Sequence, residues 1–503
     1  MGPLGALIDP WKLALHESSE ERRNELPAYQ GNSGVESLIT SSNPQSFELG
    51  TGASIYTNSL LPAILKARFE VILVTCFWAS SATLTALKET LEQLAEQRRQ
   101  LVQGGGPDAS TLPQLRIRIC FSSRSLFQKL FHTTSRNGYV YPSETWEGTL
   151  GLPSPDLLKA GCIDLQVKSL FFLPFSVMHP KFLVVDRERA WLPSCNISWE
   201  SWLEGCVEFT GDAVQKLMTF YRDVWEQELD LQHSSLRDNV FHSILTLQAG
   251  GATTLGLRTI QSPARHFASF EGPAVPTVLL PSSHHQNPRF RPLPWLDHPV
   301  PPSTPLNAAI LRLIGMAERS IYMQTPNLTS TAVMNSLLDA LERGVQVSIV
   351  TSKGMMLLEQ IVTSGTTTAL CLRSLVRQYN RLSDSRAKPR SITSASSAEP
   401  MIDLEAGRQR IGPLKISYFH ANPENARTKA TEEPVHSHLK LTIVDSQYTV
   451  LGSGNMDRAS WFTSQELGML FHSADFAKTV SDTVVTGLAG RTRTIFDARP
   501  NNG

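Results

Sequence analysis

Apolar positions along this chain change period in an order that repeats. Residues 61–67 step like the end of a helix, and a β-branched run from Val71 to Phe77 follows as a strand. Residues 82–100 place Leu84, Leu87, Leu91 and Leu94 at three- and four-residue steps, one face of an amphipathic helix. Gly104-Gly105-Gly106-Pro107 breaks that helix before residues 115–123 (LRIRICFSS), which alternate as a strand. The same order returns far downstream. A helix runs to Ala317, a strand from Ile321 to Thr325, a helix from about Ser330 to Glu342 and a strand from Val345 to Val350. Ala67, Val71 and Thr75 recur as Ala317, Ile321 and Thr325, each 250 residues on. Helix–strand alternation of this kind predicts an α/β layer structure with both sheet faces covered, in two copies.

Residues 1–50 are Ser/Asn/Pro-rich and weakly periodic, which reads as an N-terminal arm with one short helix. The first domain is then 51–230, a connection 231–275, the second domain 276–490 and a tail 491–503. A strand is expected near Thr277 to Leu280, and residues 381–400 read as a mobile loop inside the second domain. The length of 503 residues suits two domains, and 41% hydrophobic with 18% charged residues excludes bulk disorder. Lys+Arg and Asp+Glu are each 46, which disfavours a basic nucleic-acid coat. Six cysteines without a CxxC pair read as reduced, mostly buried thiols. The longest nearly apolar run, Ser169 to Met178, falls short of the ~20 residues that span a bilayer. The N-terminus lacks the basic start of a secretory signal, and Ala6 stands where N-myristoylation needs Ser or Thr. A cytoplasmic protein is expected. His284-His285 reads as a surface turn, because adjacent histidines point apart and have no partner four residues on.

The candidate chemistry lies in two segments, residues 179–196 and 438–455. The first holds His179, Lys181, Asp186, Ser194 and Asn196; the second holds His438, Lys440, Asp445, Ser453 and Asn455. All five positions recur at one offset, 259 residues, and the acids Glu208 and Glu466 follow at 258. One H-x-K means little. Five polar positions at one spacing, inside a duplication already visible in the apolar pattern, point to a two-part site. Residues i and i+2 of a strand share a face, so each His–Lys pair reaches one pocket. Two lysines and two amides suit the charge of a phosphodiester without any metal or cofactor.

This pattern resembles the phospholipase D superfamily, whose mark is H-x-K-x4-D-x6-G-S-x-N in two copies. The second segment fits throughout and continues with Arg458, Ser460 and Glu466, while the first has Pro180 inside H-x-K and Pro193 in place of Gly. The resemblance covers roughly 50–225 and 275–480. It implies two duplicated α/β sandwich domains about a pseudo-two-fold axis, with the active site at their interface and both half-sites in one monomeric chain. Neutral imidazole is a competent nucleophile at physiological pH, so one histidine is expected to form a phosphohistidine and the other to act as acid and base. Of two nearly symmetric motifs, His179 is taken as the nucleophile and His438 as the acid and base. The resemblance also assigns Glu208 and Glu466 to orienting the imidazoles, and Asp186 and Asp445 to structure.

A phospholipid substrate is expected, with transient contact to a membrane surface. Residues 170–175 (LFFLPF), Phe77 and Trp78 are candidates for an acyl-chain entrance, and Trp199, Trp202 and Trp461 for contacts or packing near the site. The residues from Thr325 to Val347 resemble members of the family that join or exchange lipid head groups. The rival reading is a nuclease using a basic groove of Arg98, Arg99, Arg116, Arg118, Arg124 and Lys129. A third is an inactive lipid-binding scaffold.

Overall fold

The computed structural model describes residues 3–21, 34–103, 112–125, 138–172, 176–198, 201–226, 259–284, 289, 293, 300–387, 411–426 and 432–498. Seven strands build the first half: β1 (Ile39–Thr51), β2 (Glu70–Phe77), β3 (Leu115–Ser123), β4 (Ile163–Ser169), β5 (Phe182–Val185), β6 (Arg189–Pro193) and β7 (Trp202–Thr210). Seven build the second: β8 (Val275–Ser283), β9 (Ser320–Thr325), β10 (Gln346–Ser352), β11 (Leu414–Phe419), β12 (Leu441–Val444), β13 (Tyr448–Gly452) and β14 (Gln465–His472). The spatial order is β1–β7–β6–β5–β2–β3–β4 in the first half. It is β8–β14–β13–β12–β9–β10–β11 in the second. The two orders are the same, which makes the duplication structural as well as sequential.

Local sequence explains each element type. β2 (EVILVTCF) is a near-continuous apolar run, and it is buried along almost its whole length, as a strand covered on both faces must be. β2–β3–β4 and β9–β10–β11 are parallel, so their connections must cross over, and they do so through helices. α2 (Ala82–Gln103) joins β2 to β3 and buries Leu84, Leu87, Leu91 and Leu94, the face expected from their spacing. Further helices are α3 (Asp212–Trp225), α4 (Pro305–Met316), α5 (Thr331–Glu342), α6 (Leu357–Ser364), α7 (Thr368–Ala387), α8 (Arg458–Phe462) and α9 (Ala474–Gly487).

Four segments read as arm, connection, tail and loop carry regular structure in part. Residues 1–50 are no loose arm. α1 (Pro3–Glu21) packs on α4 of the second half, and the indole of Trp11 donates to Pro305 O at 3.0 Å. β1 is a central strand: Ile39–Ser42 pairs with β8, while Asn43–Thr51 pairs with β7, with an irregularity between Pro44 and Ser46. Its sequence, ITSSNPQSFELGT, lacks a period-2 apolar run, so only its position between the halves makes it a strand. The connection 231–275 holds a short strand, His266–Ser269, paired to β1, and residues 231–258 of it lie outside the described residues. The tail contributes β15 (Thr492–Asp497), antiparallel to β11. α7 extends into the expected 381–400 loop as far as Ala387; residues 388–400 lie outside the described residues.

One apolar core runs from α1 through the β1–β8 junction into the second half, and a second lies under α2. α3 and α9 both pack on β1, so the two halves share their core at the junction. Each large side chain fully buried there contributes roughly 1.5–3 kcal/mol.

Candidate active site

The segments carrying the two H-x-K motifs leave their own sheets just before β5 and β12 and run across the opposite half. Met178 bridges to Gln465, and the His179 N–H donates to Gln465 O at 2.9 Å. In the mirror arrangement His436 and Ser437 pair with Trp202 and Leu203, and the His438 N–H donates to Leu203 O at 2.8 Å. Pro180 sits in this short crossing, outside β5, so its missing donor breaks no ladder bond.

The crossing decides the carboxylate partners. His179 Nδ1 lies 2.8 Å from Glu466 of the second half, and His438 Nδ1 lies 2.8 Å from Glu204 of the first. Glu204, and not Glu208, therefore orients the second imidazole. Glu208 is taken up by Ser46 and Arg189, farther along β7. The constant offset misplaced the acid because Glu466 follows Asn455 by eleven residues, whereas Glu204 follows Asn196 by eight. The second copy spends its extra residues on the helical turn α8. Glu204 and Glu208 share one face of a strand, so periodicity could not choose between them.

Each carboxylate is itself held. Ser453 Oγ donates to Glu466 at 2.5 Å and Ser460 Oγ at 2.6 Å, while Ser194 Oγ donates to Glu204. Ser194 and Ser453 occupy matching places: their N–H groups donate to Gly205 O at 2.8 Å and Leu467 O at 2.9 Å. Pro193 has not displaced Ser194. Gly452 has φ +148, and a Cβ there would meet Leu467 O at 2.3 Å, so the second copy requires glycine. The first copy moves its glycine to Gly205, where a Cβ would press on Leu439.

The two aspartates do structural work. Asp186 accepts from the N–H groups of Arg68, Phe69 and Glu70, tying the β5–β6 turn to the start of β2. Asp445 does the same with Glu318, Arg319 and Ser320 at β9. Both take left-handed backbone, at φ 52 and 53, which short acidic side chains tolerate.

The rings of His179 and His438 stand 6.5 Å apart, centroid to centroid, nearly perpendicular at 82°. Lys181 Nζ donates to His179 O at 2.9 Å, and Lys440 Nζ to His438 O at 2.7 Å. Lys440 Nζ also lies against the His438 ring, 2.7 Å from Nδ1 and 2.9 Å from Nε2. Asn196 Oδ1 accepts from the N–H groups of Cys76 and Phe77, leaving Nδ2 a buried donor with no partner among the described residues. Asn455 instead donates Nδ2 to Asp457 at 3.0 Å.

Burial dominates the titration of the site. It pulls His179 below the usual histidine value against the pull of Glu466, and takes His438 down to about 3 against that of Glu204. Burial also lowers Lys440, to about 7, with Glu204 opposing and Lys181 assisting. For Glu204 and Glu466 burial acts upward, but the facing histidines and the serine hydroxyls outweigh it and keep both acids below the ordinary carboxylate value. Both imidazoles are neutral at pH 7.

Of the flanking apolar residues, Leu170, Phe171 and Trp78 are core: Trp78 stacks on Phe121 and donates to Leu150 O. Trp461 donates to Asn455 O from behind the site, and Trp202 lies 4.8 Å from the His438 ring. Residues 173–175 and Trp199 are outside the described residues. His284 is buried against Ser282, so the surface-turn reading fails there, while His285 is not described. Among the described residues no three His, Cys, Asp or Glu side chains gather to hold a metal ion.

Residues 310–484, which include the second motif, match the family model described as cardiolipin synthase, PLD-like domain. This segment of the chain is a phospholipase D-like domain. The first half shares its strand order and is joined to it by the reciprocal His–Glu pairs. No curated protein matches the chain. Similar solved structures include phosphatidylserine synthase from Haemophilus influenzae Rd KW20, at 13% identity over 95% of this chain and 91% of that one, TM-score 0.48. Another is the phospholipase D family member Nuc from Salmonella typhimurium, at 19% identity over 39% and 91%, TM-score 0.23. Polyphosphate kinase from Porphyromonas gingivalis follows at 9% identity over 93% and 51%, TM-score 0.43. Among the described residues no helix is long and apolar enough to cross a membrane.

Proposed function

We propose that this protein is a phospholipase D-type phosphodiesterase that hydrolyses or transfers phosphatidyl groups of phospholipids, through a phosphohistidine and without metal. The observation that carries the chemistry is the reciprocal pair of contacts, His179–Glu466 and His438–Glu204, which fixes two imidazoles face to edge across the interface. A carboxylate on Nδ1 holds the tautomer whose Nε2 lone pair faces the substrate. His179 is the nucleophile. It is 8% exposed against 1% for His438, and Lys440 lies against the His438 ring.

Nε2 of His179 attacks phosphorus as the bond to the leaving alcohol breaks, and His438 gives that alcohol its Nε2 proton. Neutral His438 must first gain this proton. An anionic phosphodiester beside Lys181 and Lys440 favours the charged form of every neighbouring base and raises both Lys440 and His438. In the second step His438 takes a proton from water or an acceptor alcohol, whose oxygen attacks phosphorus as the P–N bond breaks. Asn196 Nδ2 donates to a non-bridging oxygen.

The phospholipid substrate is supported by the family model over 310–484 and by the engagement of four of the six groove candidates with neighbours in the fold. Arg98 bonds Gly161 O and Pro113 O, Arg99 pairs with Glu96, Arg116 with Glu70 and Glu226, and Arg118 with Asp164. These guanidinium groups are committed within the fold, while Lys129 lies outside the described residues. We place the enzyme in the cytoplasm, acting as a monomer at a membrane surface. The test incubates the protein, with EDTA, with radiolabelled phosphatidylcholine, phosphatidylglycerol and a single-stranded oligonucleotide. Head-group release lost in His179→Ala and His438→Ala is expected; cleavage of the oligonucleotide alone overturns the reading.

A further inference from the structure

Helix α6 is built inside out. Its buried side chains are Gln360, Thr363 and Ser364, whereas Leu357, Leu358 and Ile361 are 47%, 77% and 50% exposed. A helix on a globular surface normally turns its apolar stripe inward, so this reversal needs a cause. The inward polar face is fully satisfied. Gln360 Nε2 donates to Met355 O and Asn327 Oδ1, its Oε1 accepts from the N–H and hydroxyl of Thr368, and the hydroxyls of Thr363 and Ser364 cap carbonyls of their own helix. Met356, just before the helix, takes a left-handed φ of 51, a strained conformation for a long side chain. The outward apolar face is therefore held in place by the interior.

The surroundings say what covers it. Leu370, 51% exposed at the start of α7, extends the apolar patch. Arg373, Arg377 and Arg381 follow at four-residue steps on the same face of α7, and all three are exposed, as is Lys353 ahead of α6. None of these four cations forms an ion pair among the described residues. From Lys353 to Ser385 the only exposed acid is Asp384. An apolar helix face bordered by unpaired arginines matches a bilayer surface, with acyl chains beneath and anionic head groups beside.

The patch also lies next to the chemistry. α6 packs against α8, and Asn327 bridges Gln360 at 2.9 Å to Asp457 at 3.4 Å, which in turn holds Asn455. We propose that α6 and the adjoining face of α7 form the surface by which this protein seats on an anionic phospholipid bilayer. The proposal rests on the phospholipid reading above and names its interface, in place of the aromatic run at 170–175.

Co-sedimentation of the full chain with vesicles tests it, using phosphatidylcholine alone and phosphatidylcholine mixed with phosphatidylglycerol. Wild type is expected to bind the mixed vesicles more tightly, and the Leu358→Ser/Ile361→Ser variant to lose about tenfold or more in partition on both. Arg373→Gln/Arg377→Gln is expected to lose only the preference for phosphatidylglycerol and its salt dependence. Turnover of a monomeric short-chain phospholipid by both variants at the wild-type rate shows an intact fold. Wild type that ignores both vesicles, or variants that bind as it does, overturns the proposal. So does a wild-type dimer that Leu358→Ser/Ile361→Ser dissolves, since a second copy would then be the cover. If vesicles bind but no phospholipid is cleaved, the surface stands and the substrate reading fails.

Discussion

The two half-sites share strand order, motif and carboxylate partner, yet they hold their imidazoles differently. In the first, His179 keeps a partly open ring, and Asn196 has a buried amide donor with no partner among the described residues. In the second, His438 is closed in by Trp202 and Lys440, and the Asn455 amide is committed to Asp457. A duplicated unit would give equal halves if each were independent. The halves differ because each borrows its carboxylate from the other, so a loop changed in one copy is felt in the opposite imidazole. A nucleophile needs an open lone pair, and an acid needs a neighbour that supplies a proton; the asymmetry matches that division of labour.

The sharpest way to break the comparison is to remove each imidazole in turn. His179→Ala and His438→Ala should each lower turnover by about 10⁴-fold or more. With an activated leaving group, His438→Ala should still accumulate an acid-labile labelled adduct, and His179→Ala should not. An adduct in His179→Ala alone would reverse the roles.

Next in size is the exchange of carboxylates. Glu204→Gln and Glu466→Gln should each reduce kcat by about 10²–10⁴-fold, as loss of an imidazole-orienting acid does elsewhere, with Glu208→Gln near wild type. Loss in Glu208→Gln with Glu204→Gln unaffected would contradict the crossed geometry.

A smaller effect concerns Lys440 and pH. Its value of about 7 in the free protein rises when an anion binds, so anion affinity is greatest below pH 7 and falls as pH climbs above it. Binding of sulfate, which does not titrate there, should weaken with rising pH and take up protons, read by calorimetry in buffers of different ionisation heat. Sulfate affinity that stays level from pH 6 to 9 in wild type would sever Lys440 from this role.

The last contrast is between the two glycine arrangements. Gly452→Ala should cost about 2–4 kcal/mol from its backbone conformation and the clash with Leu467 O, whereas Pro193→Gly should cost about 1 kcal/mol or less. Thermal unfolding of both variants measures the difference, and equal losses would mean that the copies tolerate the same backbone.

Much of this molecule is legible in the chain. The 250-residue recurrence of Ala67, Val71 and Thr75 corresponds to β2 and β9, down to the aspartates that bind the starts of both strands. His179 with Lys181, and His438 with Lys440, do reach one site, but from the crossing segments just ahead of β5 and β12 and not from within a strand. β1 was not legible, since its polar sequence becomes a strand only when both halves pair with it. Nor was the outward face of α6, which is set by Gln360, Thr363 and Ser364 taking the inside.

The sequence by itself determined the duplication, the fold class and the two H-x-K pairs, because each shows in spacing along the chain. Only the tertiary structure decided which carboxylate orients which histidine, which imidazole is open and where the apolar helix face points. Those depend on chain segments crossing between halves, and spacing along one segment carries no information about which partner it meets on another.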